Sequence, residues 1–212
     1  MTRTGRGADR LSAYSDAVFA VIVTIMVLQL KAPASPTFAA LAPLWPTLLS
    51  YVVSYVFIAI IWVNHHHLTG LIVEPSLRLV WINFIHLFLV SLLPFTTAWM
   101  AGTNFAPLPV VAYATLFVLT DGTYNVYERY VLRQTSEISE RGRRIARRRS
   151  LIALLLFVSA AVAAIFEPWV GFGLVCLALI LHLKPDIGSG PDRQSRRRKA
   201  AESQSNNAAS GA

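Results

Sequence analysis

The chain has 212 residues, 55% of them hydrophobic and only 14% charged, with a mean hydropathy of +0.52. A soluble domain of this size carries about 25% charged residues, so the composition excludes an ordinary soluble globule and indicates a multi-pass membrane protein in a lipid bilayer. The net charge of +8 is gathered in clusters beside apolar segments, the pattern of cytoplasmic loops rather than of a nucleic-acid surface, and no nucleic-acid partner is expected.

A membrane helix needs about 20 mostly apolar residues. Six segments approach that length: residues 13–30, 44–68, 77–100, 107–132, 151–166 and 169–183. They predict an all-α fold of six transmembrane helices. Prolines 33, 36, 43, 75, 107, 168 and 185 fall between the segments, where a missing backbone donor costs least. Pro94 lies inside the third segment and predicts a kink or an opened end.

Arg3, Arg6, Arg10, Arg78, the run "RQTSEISERGRRIARRRS" and the cluster "RQSRRRK" alternate in side with Lys31. An excess of basic residues marks the inside, so both termini are expected in the cytoplasm. Residues 1–185 form the expected six-helix membrane domain. Residues 186–212 are polar, basic and low in complexity, and a disordered tail is expected there. A cleaved signal peptide is the rival reading of the first segment; Asp16 argues against it, because a disposable apolar core needs no carboxylate. The single cysteine, Cys176, excludes an intrachain disulfide.

The first segment, "AYSDAVFAVIVTIMVLQL", is apolar from Ala17 to Leu28 apart from Thr24. On a helix, Val21, Thr24, Ile25 and Leu28 share one stripe. Packing against a neighbour would explain such a stripe, and Thr24 would then bond back to its own helix. Asp16 requires a partner from another helix, since a carboxylate within a membrane helix faces protein or water. Candidate donors are Trp62, Asn64, His65 and His66 of "WVNHHH", and Asn83 and His86 of the third segment. Adjacent helical residues point about 100° apart, so the three histidines do not converge on one ion, and neither a metal nor a cofactor is expected. A polar network between helices is the main reading of this cluster, with a proton relay as the lesser one. Glu128 and Arg129 fall near the inner end of the fourth segment; Asp121 is deeper and lacks an evident partner. No phosphate loop, nucleophile elbow or cysteine–histidine pair suggests an enzyme.

The stretch "RLSAYSDAVFAVIVTIMVLQL", Arg10 to Leu30, resembles the signature of the potassium-channel family typified by lysosomal transmembrane protein 175, in its short prokaryotic form. Arg10, Tyr14, Ser15, Asp16, Ala20, Val21 and Thr24 match that signature. Trp62, Asn64, His65 and His66 resemble its second helix, and Asn83, Pro94 and Phe95 its third. The resemblance implies a plasma-membrane homotetramer of six-helix subunits that conducts potassium ions through a pore lined by the first helix. Carried over, it implies a hydrophobic constriction at Val21, Ile25 and Leu28 and a selectivity layer at Thr24. It also implies a structural polar network of Arg10, Ser15 and Asp16 with Trp62, Asn64, His65, His66, Asn83 and His86. Val21 stands where family members commonly have isoleucine or leucine; the missing methylene widens that ring and leaves Ile25 or Leu28 as the narrow point. Two rivals from other classes stay open at this point: a proton-coupled transporter built on the histidines, and a membrane scaffold that conducts nothing.

Overall fold

A computed structural model describes residues 5–72, 74–134 and 140–182, and these residues contain helices and no strands. The helices are α1 Gly5–Leu28, α2 Trp45–Thr69, α3 Leu77–Ser91, α4 Leu93–Gly102, α5 Pro107–Gln134, α6 Glu140–Phe166 and α7 Pro168–His182, with a 3-10 helix over Phe38–Leu44 leading into α2. Proline opens several of them: α2 and α4 carry one at their first positions, and α5 and α7 begin on one. The missing N–H costs nothing there, because the first helical donors have no partner within the helix. Ser76 caps α3 by accepting the Leu79 N–H at 3.2 Å.

Two helices begin earlier than their apolar segments. α1 starts at Gly5 because Ala8 and Leu11 extend its buried face. α6 starts at Glu140 and takes in most of the arginine-rich run, since arginine is a good helix former. The third segment divides into α3 and α4. Leu92 ends one and precedes the other, and Pro94, lacking an N–H, cannot continue the ladder across the break. The expected tail, residues 186–212, lies outside the described residues.

Among the described residues, four stretches are long and apolar enough to cross a membrane: Gly7–Leu28, Phe38–Thr69, Leu77–Gly102 and Gly142–Phe166. A shorter apolar helix covers Pro168–Leu181. α5 is the innermost helix; it packs on α3, α4, α6 and α7, with Val110, Tyr113, Ala114, Phe117 and Thr120 fully buried. The core centres on Phe57, Phe117 and Phe157, with Phe57 stacked on Phe117 at 3.7 Å between ring centroids. A polar knot crosses it. Thr97 donates to the Leu93 carbonyl at 2.7 Å, so Ser54 donates to Thr97 at 2.8 Å and Tyr113 to Ser54 at 2.8 Å. Every hydroxyl proton is thereby used, as a buried polar group requires.

α6 and α7 meet along a seam of small residues. Ala160 and Ala164 lie against Gly171 of α7. A Cβ added to Gly171 would come within 2.4 Å of Ala164 Cβ and 2.8 Å of the Ala160 carbonyl oxygen, so only glycine permits this approach. α1 stands at the opposite edge of the bundle, against α2, α3 and α4.

Candidate functional site: the unpartnered face of α1 and its anchor

α1 has two unlike faces. Ser15, Phe19, Ile22 and Met26 recur at helical spacing and point into the bundle; the last three are exposed by only 3%, 2% and 1%. Val21, Ile25 and Leu28 point outward and are exposed by 57%, 45% and 76%. Thr24 lies among them and is also exposed. The within-chain packing explanation of this stripe is therefore wrong: the packed stripe is the other one. Thr24 does bond back to its own helix, donating to the Ala20 carbonyl at 2.9 Å. That bond occupies the hydroxyl proton, so the oxygen lone pairs are what the outer face presents.

The buried face is fixed by a directed chain of hydrogen bonds. Ser15 donates to the Leu11 carbonyl at 2.9 Å. Its oxygen therefore accepts from Asn83 Nδ2 at 3.0 Å. That sets the amide orientation, so Asn83 Oδ1 accepts from His65 Nε2 at 2.7 Å. The neutral ring thus carries its proton on Nε2, and the Thr69 hydroxyl lies between His65 Nδ1, at 3.2 Å, and the His65 carbonyl, at 2.7 Å. Ser15, Asn83 and His65 are almost wholly buried. His65 is also stacked on Tyr127 of α5, with centroids 5.2 Å apart. One serine thus ties α1 through α3 to α2.

Asp16 makes a second, more open link. It accepts from Trp62 Nε1 at 2.9 Å and from Ser12 at 3.5 Å, and the Trp62 ring stacks on His66 at 5.6 Å. Trp62 and His66 are one turn apart and share a face of α2, whereas His65 points to the other side. The remaining residues of the expected network lie elsewhere. Arg10 is exposed and has no hydrogen-bond or ion-pair partner among the described residues. Asn64 lines a cavity between α2 and α5–α7. His86 bonds Thr123 of α5 at 3.2 Å and stacks beside His65 at 6.0 Å. Sequence reasoning missed Ser12 and Thr69, each four residues from a residue already singled out. It also missed a partner for Asp121, which is Asn125, bonded at 2.9 Å one turn along the same helix.

Comparison with known proteins accords with this arrangement. Residues 10–94 match the family described as endosomal/lysosomal potassium channel TMEM175. A potassium channel of Chryseobacterium is 33% identical over 178 residues, covering 84% of this chain and 93% of that protein. A potassium channel of Chamaesiphon minutus is 33% identical over 125 residues, covering 55% of this chain and 62% of that one. The fold superposes with a TM-score of 0.74 on the crystal structure of a lysosomal potassium-selective channel TMEM175 homolog from Chamaesiphon minutus, at 25% identity, covering 83% of this chain and 96% of that one. The near-complete coverage of the Chryseobacterium relative at that identity, together with the match over α1 to α3, establishes that the chain belongs to the TMEM175 family.

Proposed function

We propose that the chain is a potassium-selective cation channel. Four copies assemble in the plasma membrane, each spanning it six times with both termini in the cytoplasm, and four α1 helices line the central pore. The observation that carries this reading is the outer face of α1. It is apolar, unpartnered within the chain, and interrupted by one hydroxyl whose proton is already engaged. Four such faces around an axis give stacked apolar rings, Val21, Ile25 and Leu28, with a layer of oxygen lone pairs at Thr24. The apolar rings restrict conduction by narrowing and dewetting, and the Thr24 layer substitutes for part of the ion's water. The Ser15–Asn83–His65 chain and the Asp16–Trp62 bond hold α1 at the register this requires. The names of the relatives, all potassium channels, support the choice of ion.

Proton-coupled transport through the histidines has less support. Both ring nitrogens of His65 face partners within the subunit, His86 bonds α5, and neither lies on the unpartnered face. The test is purified protein in liposomes under an outward potassium gradient. A flux that follows the potassium equilibrium potential, is smaller for sodium, and needs no proton movement supports the channel. Saturable flux that stops without a pH gradient refutes it.

A further inference from the structure

A cavity of about 100 Å³ lies between α2, α5, α6 and α7, and no α1 residue lines it. Its polar wall is Asn64, Asp121, Tyr124, Glu128, Arg149 and Ser150. Glu128, Arg149 and Ser150 sit where the arginine-rich part of α6 ends. Asp121 lies two turns deeper along α5, about 10 Å at 1.5 Å per residue. The cavity thus leads from the basic end of the bundle to a carboxylate in its interior.

That carboxylate is poorly compensated. Asp121 is 9% exposed. Its hydrogen-bond partner is the neutral amide of Asn125, and among the described residues it has no ion pair. Asn125 turns its Nδ2 to the carboxylate, which leaves its Oδ1 buried without a protein partner. The carboxylate calls for positive charge, because removing an ion from water costs several kcal/mol unless it is neutralised. The lining offers oxygen ligands suited to a hard cation: the Asp121 carboxylate, the Asn64 amide, and the Tyr124 and Ser150 hydroxyls. Ser150 spends its proton on Glu128 Oε2 at 2.9 Å, which leaves its lone pairs free. Two acidic side chains and one guanidinium line the space, an anionic excess of one when both acids are ionised. One net negative charge suits a monovalent rather than a divalent ion, and no group of three acidic, histidine or cysteine side chains is assembled among the described residues. A water molecule occupies about 30 Å³ of liquid, and the cavity has room for an ion that keeps two or so waters.

We propose that this cavity is a second cation site, in which a partly hydrated alkali ion sits against Asp121 and joins α5 to α2 and α6, outside the conduction path. The proposal goes beyond the channel reading and does not depend on it.

Crystals of the full chain soaked in thallium(I) test it directly, with anomalous scattering as the readout. The expected result is one peak per subunit between Asp121 and Ser150, lost in Asp121→Asn. A wild-type cavity without a peak, or a peak that survives Asp121→Asn, overturns the proposal; so does a carboxylate neutralised by a proton, which gives no peak. Peaks or their absence on the α1 axis bear on the channel reading alone. In parallel, the melting temperature of the detergent-purified protein is compared in potassium chloride and in N-methylglucamine chloride at equal ionic strength. Wild type should gain a few degrees in potassium, and Asp121→Asn should lose most of that gain; an equal gain in both proteins overturns the proposal. Should Asp121→Asn fail to assemble, Asn64→Leu, which removes a lining oxygen from α2, should raise the half-stabilising potassium concentration several-fold. An unchanged half-stabilising concentration would count against the site.

Discussion

In the proposed pore, Val21, Thr24, Ile25 and Leu28 are the residues whose side chains face the axis, and each ring has its own expected effect. Ile25→Ala or Leu28→Ala should raise single-channel conductance and lower potassium-over-sodium selectivity more than Val21→Ala, because valine already leaves the widest ring. Thr24→Ala should mainly lower selectivity, since it removes the oxygen layer and leaves the apolar rings in place. Reversal potentials under mixed potassium and sodium gradients separate these outcomes; a Val21→Ala effect exceeding both others would move the narrow point. The anchor residues make a different prediction. Asn83→Leu leaves Ser15 and His65 buried without their partner, and a buried group so orphaned costs about 1–3 kcal/mol. Asp16→Asn keeps an oxygen for the Trp62 indole at a more exposed site and should cost less. Thermal unfolding and oligomer retention in mild detergent rank the two, and an Asp16→Asn loss as large as that of Asn83→Leu would contradict the assignment of the buried chain as the main anchor. Much of this was legible in the sequence. The stripe through Val21, Thr24, Ile25 and Leu28 follows from helical period alone, and Asp16 in an apolar helix demands a donor elsewhere. Period does not say whether a stripe packs or stays open, nor which of Trp62 to His67 meets Asp16. Those depend on how α2 is rotated against α1, which only packing fixes.

At the scale of elements, the apolar runs located α2, α5 and α7 to within about two residues at each end, because lipid-length apolar segments bounded by proline leave little freedom. The starts of α1 and α6 were not legible: polar, arginine-rich turns continue a helix without changing its hydropathy signal. The break before Pro94 was legible from its missing donor. The α6–α7 seam was not, since Gly171 reads as an ordinary membrane glycine until its neighbour is in place. It supports a sharp prediction. Gly171→Val inserts a side chain where even a Cβ meets Ala164 at 2.4 Å, so the helices must separate. Overpacking of this kind costs about 1–3 kcal/mol, occasionally more. Gly173→Ala, which meets nothing within 4 Å, should cost little. The melting temperatures of the two variants check this, and equal stability would mean that the close approach does not exist.

At the scale of the whole molecule, the Ser15–Asn83–His65 chain is buried, while a largely apolar face of α1 stays open at one edge of the bundle. Such a face is unpartnered within one subunit, and the four-copy arrangement proposed above would complete it. The most direct test is cysteine accessibility during conduction, in a Cys176→Ser background. Val21→Cys, Ile25→Cys and Leu28→Cys are compared with Ile22→Cys, Val23→Cys and Met26→Cys in potassium-conducting bilayers exposed to a small aqueous thiol reagent. The account predicts that reagent blocks current through the first three and spares the second three, whose side chains are buried or half-buried against α2, α3 and α4. Block of the second set with sparing of the first would contradict it, and would place the conduction path on another face.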